Sequence, residues 1–421
     1  MATLGIDYGS SYTAVSWINP RYGKPETVKF NGDGSVKYPS VIMGIESGLI
    51  LGYQALNYLE DVYQIPEVTE RFESLANFIP SLKRILSPNG VELIGNEKYS
   101  HLQLLTIFFS QIKELAQNHC GNKTIFDSAI VSHPVGFSEA NINLLKQALV
   151  SSGFNNVDTK LEPIAAILGY SNEHEINNEE GILIFDYGGG TIDVAYVKKR
   201  YGQLKLLCEP RCDMSCGGQD LDILLYEDLR KKIKNQYSVD ISSSGMIDYG
   251  MLNSCRKLKE YFSGPNDSYD TPVLIAKDKK IVTFKYKLNR EAFENIICQK
   301  VSDAINVAKL VVEQTKQKKY KIDKVLLIGG SSQLTLVRKM LNDILPDVTI
   351  DTCGEKDVAV ALGNITGIIL DLPNTINKEQ LQGGSQKKEI NNEKSTPLEN
   401  RKAEGDVVYI HNDDGKLHLD W

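Results

Sequence analysis

The sequence predicts an α/β protein that is built from two similar lobes. Two stretches follow the same order: an apolar strand, Asp-Tyr-Gly, small residues, and a second apolar strand. They are TLGIDYGSSYTAVSWI at 3–18 and ILIFDYGGGTIDVAYV at 182–197. Helical patterns follow each stretch, so each half is predicted to form a sheet with flanking helices. The chain has 421 residues, too many for one core and enough for two or three domains.

Apolar residues at helical spacing predict the main helices. One runs over 102–119 and ends before Gly121, and a second begins after a Ser138 cap and runs through Leu149. The predicted inner faces are Leu102, Leu105, Phe109, Ile112 and Leu115 in the first helix and Leu144, Leu145, Ala148 and Leu149 in the second. Further helices are predicted over about 219–236, 247–262 and 290–316, and KVLLIGG predicts a buried strand that leads into a helix at the GGSS turn.

Composition and charge argue against several classes of protein. A net charge of −7 disfavours nucleic acid and acidic membranes as partners. No window predicts a signal peptide or a membrane span. Seven scattered cysteines indicate free thiols in the cytoplasm. Cys208, Cys212 and Cys216 are expected to be ordinary thiols, because zinc sites usually have four ligands.

The two Asp-Tyr-Gly turns have the composition of a phosphate site. Glycines such as Gly9 and Gly188 leave backbone N–H groups free to surround an anion, and neighbouring hydroxyls add donors. Asp7 and Asp186 fit this site if Mg²⁺ lies between them and the phosphates. One turn from each half would then enclose a polyphosphate, and the GGSS turn at 329–332 would supply a third wall. Neither a Walker-type loop nor G-x-G-x-x-G is present in the sequence.

Eight segments together resemble the nucleotide-binding domain of the seventy-kilodalton heat-shock chaperone family, in the actin and sugar-kinase fold group. They stand in family order over about 3–370: GIDYGSSYTAV, LKRIL, SHPVGFSEAN, LEPIAAILGY, FDYGGGTIDVAYV, GGQDLD, LIGGSS and DVAVALGN. The resemblance implies an α/β, actin-like ATPase fold. Its two lobes would each contain a mixed β-sheet with flanking helices, with a nucleotide cleft between them.

The resemblance also implies site residues and cofactors. The implied cofactors are ATP or ADP and Mg²⁺, with K⁺ as a further candidate ion. Asp7 and Asp186 would hold the metal through waters, and Lys83, Glu162, Asp193 and Thr191 would act in hydrolysis. The implied nucleotide-binding residues are Gly9, Ser10, Ser11, Tyr12, Gly188, Gly189, Gly190, Thr191, Gly217, Gly218, Lys259, Ser263, Gly329, Gly330, Ser331 and Asp357. Several carboxylates in one dry site require such a cation and a lysine, since they could not all remain ionised alone.

Some positions depart from the family pattern. Arg256 stands where the family usually has a glutamate, and Glu260 stands where it has the arginine that stacks on adenine. Gln333 replaces a second arginine beside the base. Pro134 matches the family's switch proline, but Ile142 replaces its arginine partner. The choice between adenine and other bases is therefore left open.

The domain organisation follows from the motifs and from a change in composition after about 371. Residues 1–186 are predicted to form lobe I, with 38–113 as its outer subdomain. Residues 187–371 form lobe II, with 222–300 as its outer subdomain. Residues 372–404 are polar and read as a disordered linker, and 405–421 read as a β-hairpin around Asn-Asp-Asp-Gly.

The leading hypothesis is a cytoplasmic, chaperone-like protein that binds ATP with Mg²⁺, hydrolyses it slowly and thereby controls a protein partner. The residues after 370 are too few for the family's peptide-binding domain, so we expect that domain to be missing. A non-catalytic, nucleotide-dependent scaffold is the second hypothesis, and an actin-like filament protein or a sugar kinase is the third. Apolar residues of the hairpin would contact the partner or fold back on the lobes; they are Tyr409, Ile410, Leu417, Leu419 and Trp421.

Overall fold

The computed structural model describes residues 2–30, 34–62, 65, 74–121, 124–241, 248–277, 280–353, 358–366, 370–371, 408–411 and 417–420. Its strands are β1 (Ala2–Tyr8), β2 (Tyr12–Asn19), β3 (Lys24–Thr27), β4 (Lys37–Pro39), β5 (Ile42–Ile45), β6 (Gly48–Leu51), β7 (Phe78–Ile79), β8 (Val91–Ile94), β9 (Glu97–Ser100), β10 (Phe126–His133), β11 (Asn156–Leu161), β12 (Gly181–Tyr187), β13 (Ile192–Arg200), β14 (Gln203–Leu206), β15 (Arg211–Asp213), β16 (Ser268–Lys277), β17 (Lys280–Asn289), β18 (Lys324–Ile328), β19 (Thr349–Thr352), β20 (Leu370–Asp371), β21 (Val408–His411) and β22 (Leu417–Asp420). Its α-helices are α1 (Gly52–Val62), α2 (Leu82–Ile85), α3 (His101–Cys120), α4 (Glu139–Ser151), α5 (Glu162–Tyr170), α6 (Gly218–Tyr237), α7 (Tyr249–Phe262), α8 (Arg290–Gln317), α9 (Thr335–Ile344) and α10 (Ala359–Ile365).

Two mixed sheets repeat one strand order, which confirms the predicted α/β fold of two lobes. The first sheet has the order β11-β10-β1-β2-β3, with β4 also paired to β2. The second has the order β19-β18-β12-β13-β14-β20, with β15 also paired to β13. In each sheet the strand that carries the first aspartate of the motif is parallel to one neighbour and antiparallel to the strand after the turn. The repeated motif therefore occupies the same place in both lobes.

The helix predictions are confirmed, with one change of face. The α3 helix begins after a capping box formed by Ser100 and Gln103, and it ends at Gly121. Its buried face is Leu104, Leu105, Phe108, Phe109, Ile112 and Ala116, whereas the predicted Leu102 and Leu115 are only half-buried. Ser138 caps α4 as predicted by accepting the Asn141 N–H at 3.2 Å, and the four predicted inner residues are buried.

The helix after the GGSS turn differs from the prediction. Gly330–Gln333 form a 3₁₀ turn, and Leu334 is extended before α9 begins at Thr335. The Ser332 hydroxyl donates to the Gly329 carbonyl at 2.7 Å, and such local side-chain bonds compete with α-helical ones. The helix that follows this turn therefore begins at Thr335 and not at the glycines.

The strands test the predicted boundary between the lobes and the predicted C-terminal hairpin. All of β12 belongs to the second sheet, so a lobe boundary at 186 would cut this strand. β21 and β22 form an antiparallel pair within the predicted hairpin, and 372–404 lie outside the described residues. Cys208, Cys212 and Cys216 are free cysteines, and Cys208 and Cys216 are buried. Among the described residues, no helix is long and apolar enough to cross a membrane.

Candidate nucleotide-binding site

The two Asp-Tyr-Gly turns share one backbone hydrogen bond. In lobe I the Gly9 N–H donates to the Tyr12 carbonyl at 3.1 Å, and in lobe II the Gly188 N–H donates to the Thr191 carbonyl at 3.0 Å. A β-carbon at Gly9 would lie 2.3 Å from the Tyr12 oxygen, so only glycine fits there. The repeated sequence thus forms two small-residue turns with the same hydrogen-bond pattern, and the turn at Gly188 is the more open, with 3.8 Å from a β-carbon there to the Thr191 oxygen.

The two turns face each other across the space between the lobes. A β-carbon at Gly190 would lie 2.1 Å from Ser10 Oγ, and one at Gly189 would lie 2.5 Å from Ser11 Oγ. The Gln219 side chain bridges the same gap, with Nε2 3.4 Å from the Ser10 carbonyl. Serine hydroxyls of the lobe I turn therefore lie against the glycines of the lobe II turn in one small region, and small residues and hydroxyls are the composition of an anion site.

Four carboxylates and one lysine lie at the base of this region. Asp7 is on β1, and Asp186 on β12 is directly opposite Asp193 on β13. Glu162 opens α5, and its Oε1 is 2.5 Å from Lys83 Nζ of the short helix α2. Both partners of this ion pair are buried, with side chains 5% and 9% exposed.

Burial raises the pKa values of these carboxyls, and repulsion between the carboxylates raises them further. Burial and the nearby Glu162 raise the pKa of Asp7 to about 7. The same two causes raise the pKa of Asp193 to about 7, and they raise that of Asp186 well above its ordinary value. Burial alone would lower the pKa of Lys83, but Glu162 and Asp7 outweigh it and raise the pKa. The described protein groups therefore leave excess negative charge at this site.

Hydrogen bonds from both lobes orient Asp193. Its Oδ1 accepts the Val135 N–H at 2.7 Å, and its Oδ2 accepts the Thr191 hydroxyl at 2.9 Å. Val135 belongs to the lobe I segment after β10, and it follows Pro134. Asp193 therefore joins the lobe II turn to lobe I, and its burial is complete.

The GGSS and GGQDLD segments form the adjoining wall. Gly329 has φ +79°, and a β-carbon there would lie 2.5 Å from the Tyr187 carbonyl, so glycine is required. The Ser331 hydroxyl donates to the Gly188 carbonyl at 2.9 Å. The Gly218 N–H donates to the same carbonyl at 3.0 Å. A β-carbon at Gly217 would lie 2.4 Å from the Gly190 carbonyl carbon, so both segments pack tightly on the lobe II turn.

Lys259 is part of this wall, but it is engaged by the protein. Its Nζ lies 2.7 Å from Asp222 Oδ1 and donates to the Gly218 carbonyl at 2.6 Å. Ser263 is half-buried at the end of the same helix, and the exposed Gly330 has open space around it. Asp357 lies outside the described residues.

On the base side, the exchanged charges pair with each other. Arg256 Nε lies 3.5 Å from Glu260 Oε1, one helical turn away on α7. The Arg256 guanidinium also lies over the Tyr12 ring, 5.1 Å from its centroid, so it spans the two lobes. The Gln333 side chain donates to the Ser332 hydroxyl at 3.0 Å.

Sequence reasoning assigned no role to three residues of the site. Arg84 Nη2 lies 2.9 Å from Asp220 Oδ1, which joins α2 of lobe I to the start of α6 in lobe II. Asp220 also caps α6 by accepting the Gly217 N–H at 2.6 Å. Asp222 is the buried partner of Lys259. The signals were present, because Arg84 lies in LKRIL and both aspartates lie in GGQDLD.

Comparison with known proteins identifies the family of the chain. The family model described as Hsp70 protein matches residues 3–374. The chain is 26% identical over 381 residues to the chaperone protein DnaK of Ureaplasma urealyticum serovar 10, covering 87% of this chain and 60% of that protein. It is 26% identical over 393 residues to DnaK of Mycoplasmopsis pulmonis, covering 90% and 62%.

The ribosome-associated molecular chaperone SSB of Candida glabrata is also 26% identical, over 384 residues, covering 87% of this chain and 61% of SSB. The chain thus spans about three fifths of the length of these relatives. The family match covers most of the sequence, and the two sheets of equal strand order agree with the family's two-lobed, actin-like ATPase fold. The chain belongs to the Hsp70 family.

Proposed function

We propose that the chain binds ATP or ADP with Mg²⁺ between its lobes, hydrolyses ATP slowly and controls a protein partner through the bound state. The observation that carries this proposal is the meeting of the two turns, with Ser10 and Ser11 against Gly189 and Gly190. Donors that face each other from separate lobes suit the two sides of a polyphosphate. Membership of a nucleotide-binding chaperone family supports the proposal.

The donor set fits Mg²⁺, which prefers hard oxygen ligands and retains several waters. Asp7 and Asp186 would hold the ion through those waters. Burial, with repulsion from Glu162, raises the pKa of both carboxyls, and a cation would favour their ionised forms. No group of three or more His, Cys, Asp or Glu side chains within the described ranges is arranged as a direct metal site. Indirect coordination agrees with that finding. The ion would offset charge on the phosphates, and K⁺ remains a second candidate ion.

In this proposal the protein contributes position and charge. Lys83 stabilises negative charge on the terminal phosphate, and its ion pair with Glu162 fixes its ammonium group. Asp193 and Thr191 are joined by a hydrogen bond and orient the attacking water. The lobe II segments at 217–218 and 329–331, with Lys259 and Ser263, bound the nucleoside side of the cleft. Phosphoryl transfer needs little covalent help beyond such positioning.

A non-catalytic scaffold is the second candidate, and the base side of the cleft favours it. Arg256 is occupied by Tyr12 and Glu260, and Glu260 is 57% exposed. Nucleotide would then be held chiefly through its phosphates. Chromatography of the nucleotide that remains bound after incubation with Mg²⁺ and ATP separates the two candidates. ADP supports the ATPase, and intact ATP after many hours supports the scaffold.

The C-terminal hairpin is the proposed partner-binding element. β21 and β22 pair with each other, and an isolated two-stranded hairpin is marginal in water, so it needs a surface. Thermal unfolding of the chain with and without 405–421 tests this part. An unchanged melting temperature favours a hairpin that is free for a partner, whereas a lower one indicates that it folds back on the lobes. We place the protein in the cytoplasm, because free thiols are typical of a reducing compartment.

A further inference from the structure

We infer that Arg290 is a positioning residue that sets the distance between two walls of the nucleoside pocket. One wall is the end of α7, which carries Lys259 and Ser263, and the other is the GGSS turn that leads into α9. Arg290 itself lies outside the proposed pocket, at the first position of α8. The inference rests on the proposed function, because it concerns how the same cleft binds a purine nucleoside triphosphate.

The Arg290 guanidinium binds the backbone that follows α7. Its Nη1 donates to the Phe262 carbonyl at 3.2 Å, and its Nη2 donates to the Gly264 and Asn266 carbonyls at 2.6 and 2.5 Å. It also lies 5.5 Å from the centroid of the Phe262 ring. The last carbonyls of a helix lack intrahelical partners and attract a cation, so this position holds the α7 terminus firmly.

The same side chain reaches α9. Arg290 Nη1 donates to the Thr335 hydroxyl at 2.7 Å, and Thr335 in turn donates to Glu294 Oε1 at 3.1 Å. Thr335 is the first residue of α9, two residues after the 3₁₀ turn Gly330–Gln333. One guanidinium therefore joins the segment after Ser263 to the segment after Ser331.

The planar fork of an arginine can make these bonds at once, and the lysine ammonium cannot reproduce the fork. Loss of Arg290 would remove the bonds that hold the end of α7 and the start of α9 at a fixed distance, so both walls of the nucleoside pocket could shift. The phosphate turns have no contact with Arg290 in the described hydrogen bonds and ion pairs. The two halves of the nucleotide should therefore respond differently to its replacement.

The test compares Mg²⁺-ATP with Mg²⁺-tripolyphosphate, which lacks the nucleoside, by titration calorimetry on the full chain. For Arg290→Gln we expect Kd for ATP to rise about tenfold or more, since bonds to a charged group are lost. Kd for tripolyphosphate should stay within about twofold of the parent value, and kcat at saturating ATP within about threefold. Arg290→Lys should give an intermediate rise in Kd for ATP.

Two further variants keep the test decisive. Thr335→Val removes the bond from Arg290 to α9, together with the bond from Thr335 to Glu294. Thr335 is exposed, so the variant should fold and show a smaller rise in Kd for ATP. Arg230→Gln is the matched control, because Arg230 is 23% exposed against 20% for Arg290 and pairs with Asp240 in the same lobe. The Arg230→Gln control should leave Kd for ATP and Kd for tripolyphosphate unchanged.

Three outcomes would count against the inference. If Arg290→Gln raised Kd for ATP and for tripolyphosphate equally, the substitution would have damaged the cleft generally. If Kd for ATP stayed unchanged in Arg290→Gln or in Thr335→Val, Arg290 would not position the nucleoside pocket. Failure of the parent chain to bind either ligand would overturn the proposed function itself, and the inference with it. A parent chain that binds both ligands keeps the proposed function and leaves only Arg290 at issue.

Discussion

Replacing Lys83 by alanine should slow ATP hydrolysis severely and leave nucleotide binding in place. Lys83 Nζ lies 2.5 Å from Glu162, and its charge lowers the pKa of Asp7, Asp186 and Asp193 against the effect of burial. In the proposed mechanism the same charge stabilises the terminal phosphate during transfer. Removal of one such preorganised group typically slows a reaction about 10²- to 10³-fold.

The same change should destabilise the protein in a pH-dependent way. Breaking a buried ion pair by removing one partner costs about 3–5 kcal/mol of unfolding free energy. The pKa of Asp7 and of Asp193 is about 7 when folded, above the ordinary value of 3.8, so the folded state keeps protons that the unfolded chain has released. Stability therefore falls as pH rises from about 4 to 7. Loss of Lys83 raises these pKa values further, so the variant should lose more stability at pH 8 than at pH 6.

Single-turnover hydrolysis and thermal unfolding at pH 6 and pH 8 measure both effects. Lys113→Ala is the matched control, because Lys113 is a lobe I lysine that donates to the Gly153 carbonyl at 2.5 Å, on α3 and outside the cleft. The control should hydrolyse ATP at the parent rate. A Lys83→Ala rate within about threefold of the parent would refute the assigned role.

Two other predictions concern charge and the contact of the turns. Binding of Mg²⁺-ATP should weaken as pH falls from 8 to 6, because Asp7 and Asp193 have pKa values of about 7 and protonated carboxyls no longer attract the ion; calorimetry across this range measures it. A pH-independent affinity would contradict the assignment of these carboxyls. Gly190→Ala should weaken the binding of ATP and of tripolyphosphate alike, because its β-carbon would lie 2.1 Å from Ser10 Oγ. The control is Gly202→Ala, in a distant hairpin turn, which should leave both Kd values unchanged. Equal Kd values in parent and Gly190→Ala would mean that the turns do not enclose the phosphates.

Much of the fold could be predicted because the same strand-turn-strand motif occurs twice in the sequence. The Asp7 and Asp186 motifs each specify two antiparallel strands and a tight turn, and the structure gives both the same neighbours. Helix limits followed from local signals such as the Ser138 cap and Gly121. The order of the outer strands was not predicted, because strand pairing depends on contacts between residues far apart in sequence.

The sequence indicated which segments would lie near one another, but not the contacts between their side chains. The family resemblance implied that Lys83 and Glu162 lie in one cleft, but their ion pair required the structure. Lys259 was expected beside the nucleoside, but in the structure it forms an ion pair with Asp222. That contact depends on the direction of the lysine side chain, which helix spacing alone does not give. The 3₁₀ turn before Leu334 arose from serine hydroxyls that bind the backbone, a local competition that hydrophobic periodicity does not register.

Thermal unfolding of the purified chain with ATP, ADP or GTP, each with and without Mg²⁺, tests the central claim most directly. A ligand at 100 times its Kd adds about 2.7 kcal/mol of stability, which shifts the melting temperature measurably. The account predicts a clear upward shift with ATP or ADP that depends on Mg²⁺ and is reduced in Asp7→Asn. An equal shift with GTP would mean that the base side, with Arg256 and Glu260, does not select adenine. No shift with any nucleotide would contradict the claim that the paired turns bind phosphate.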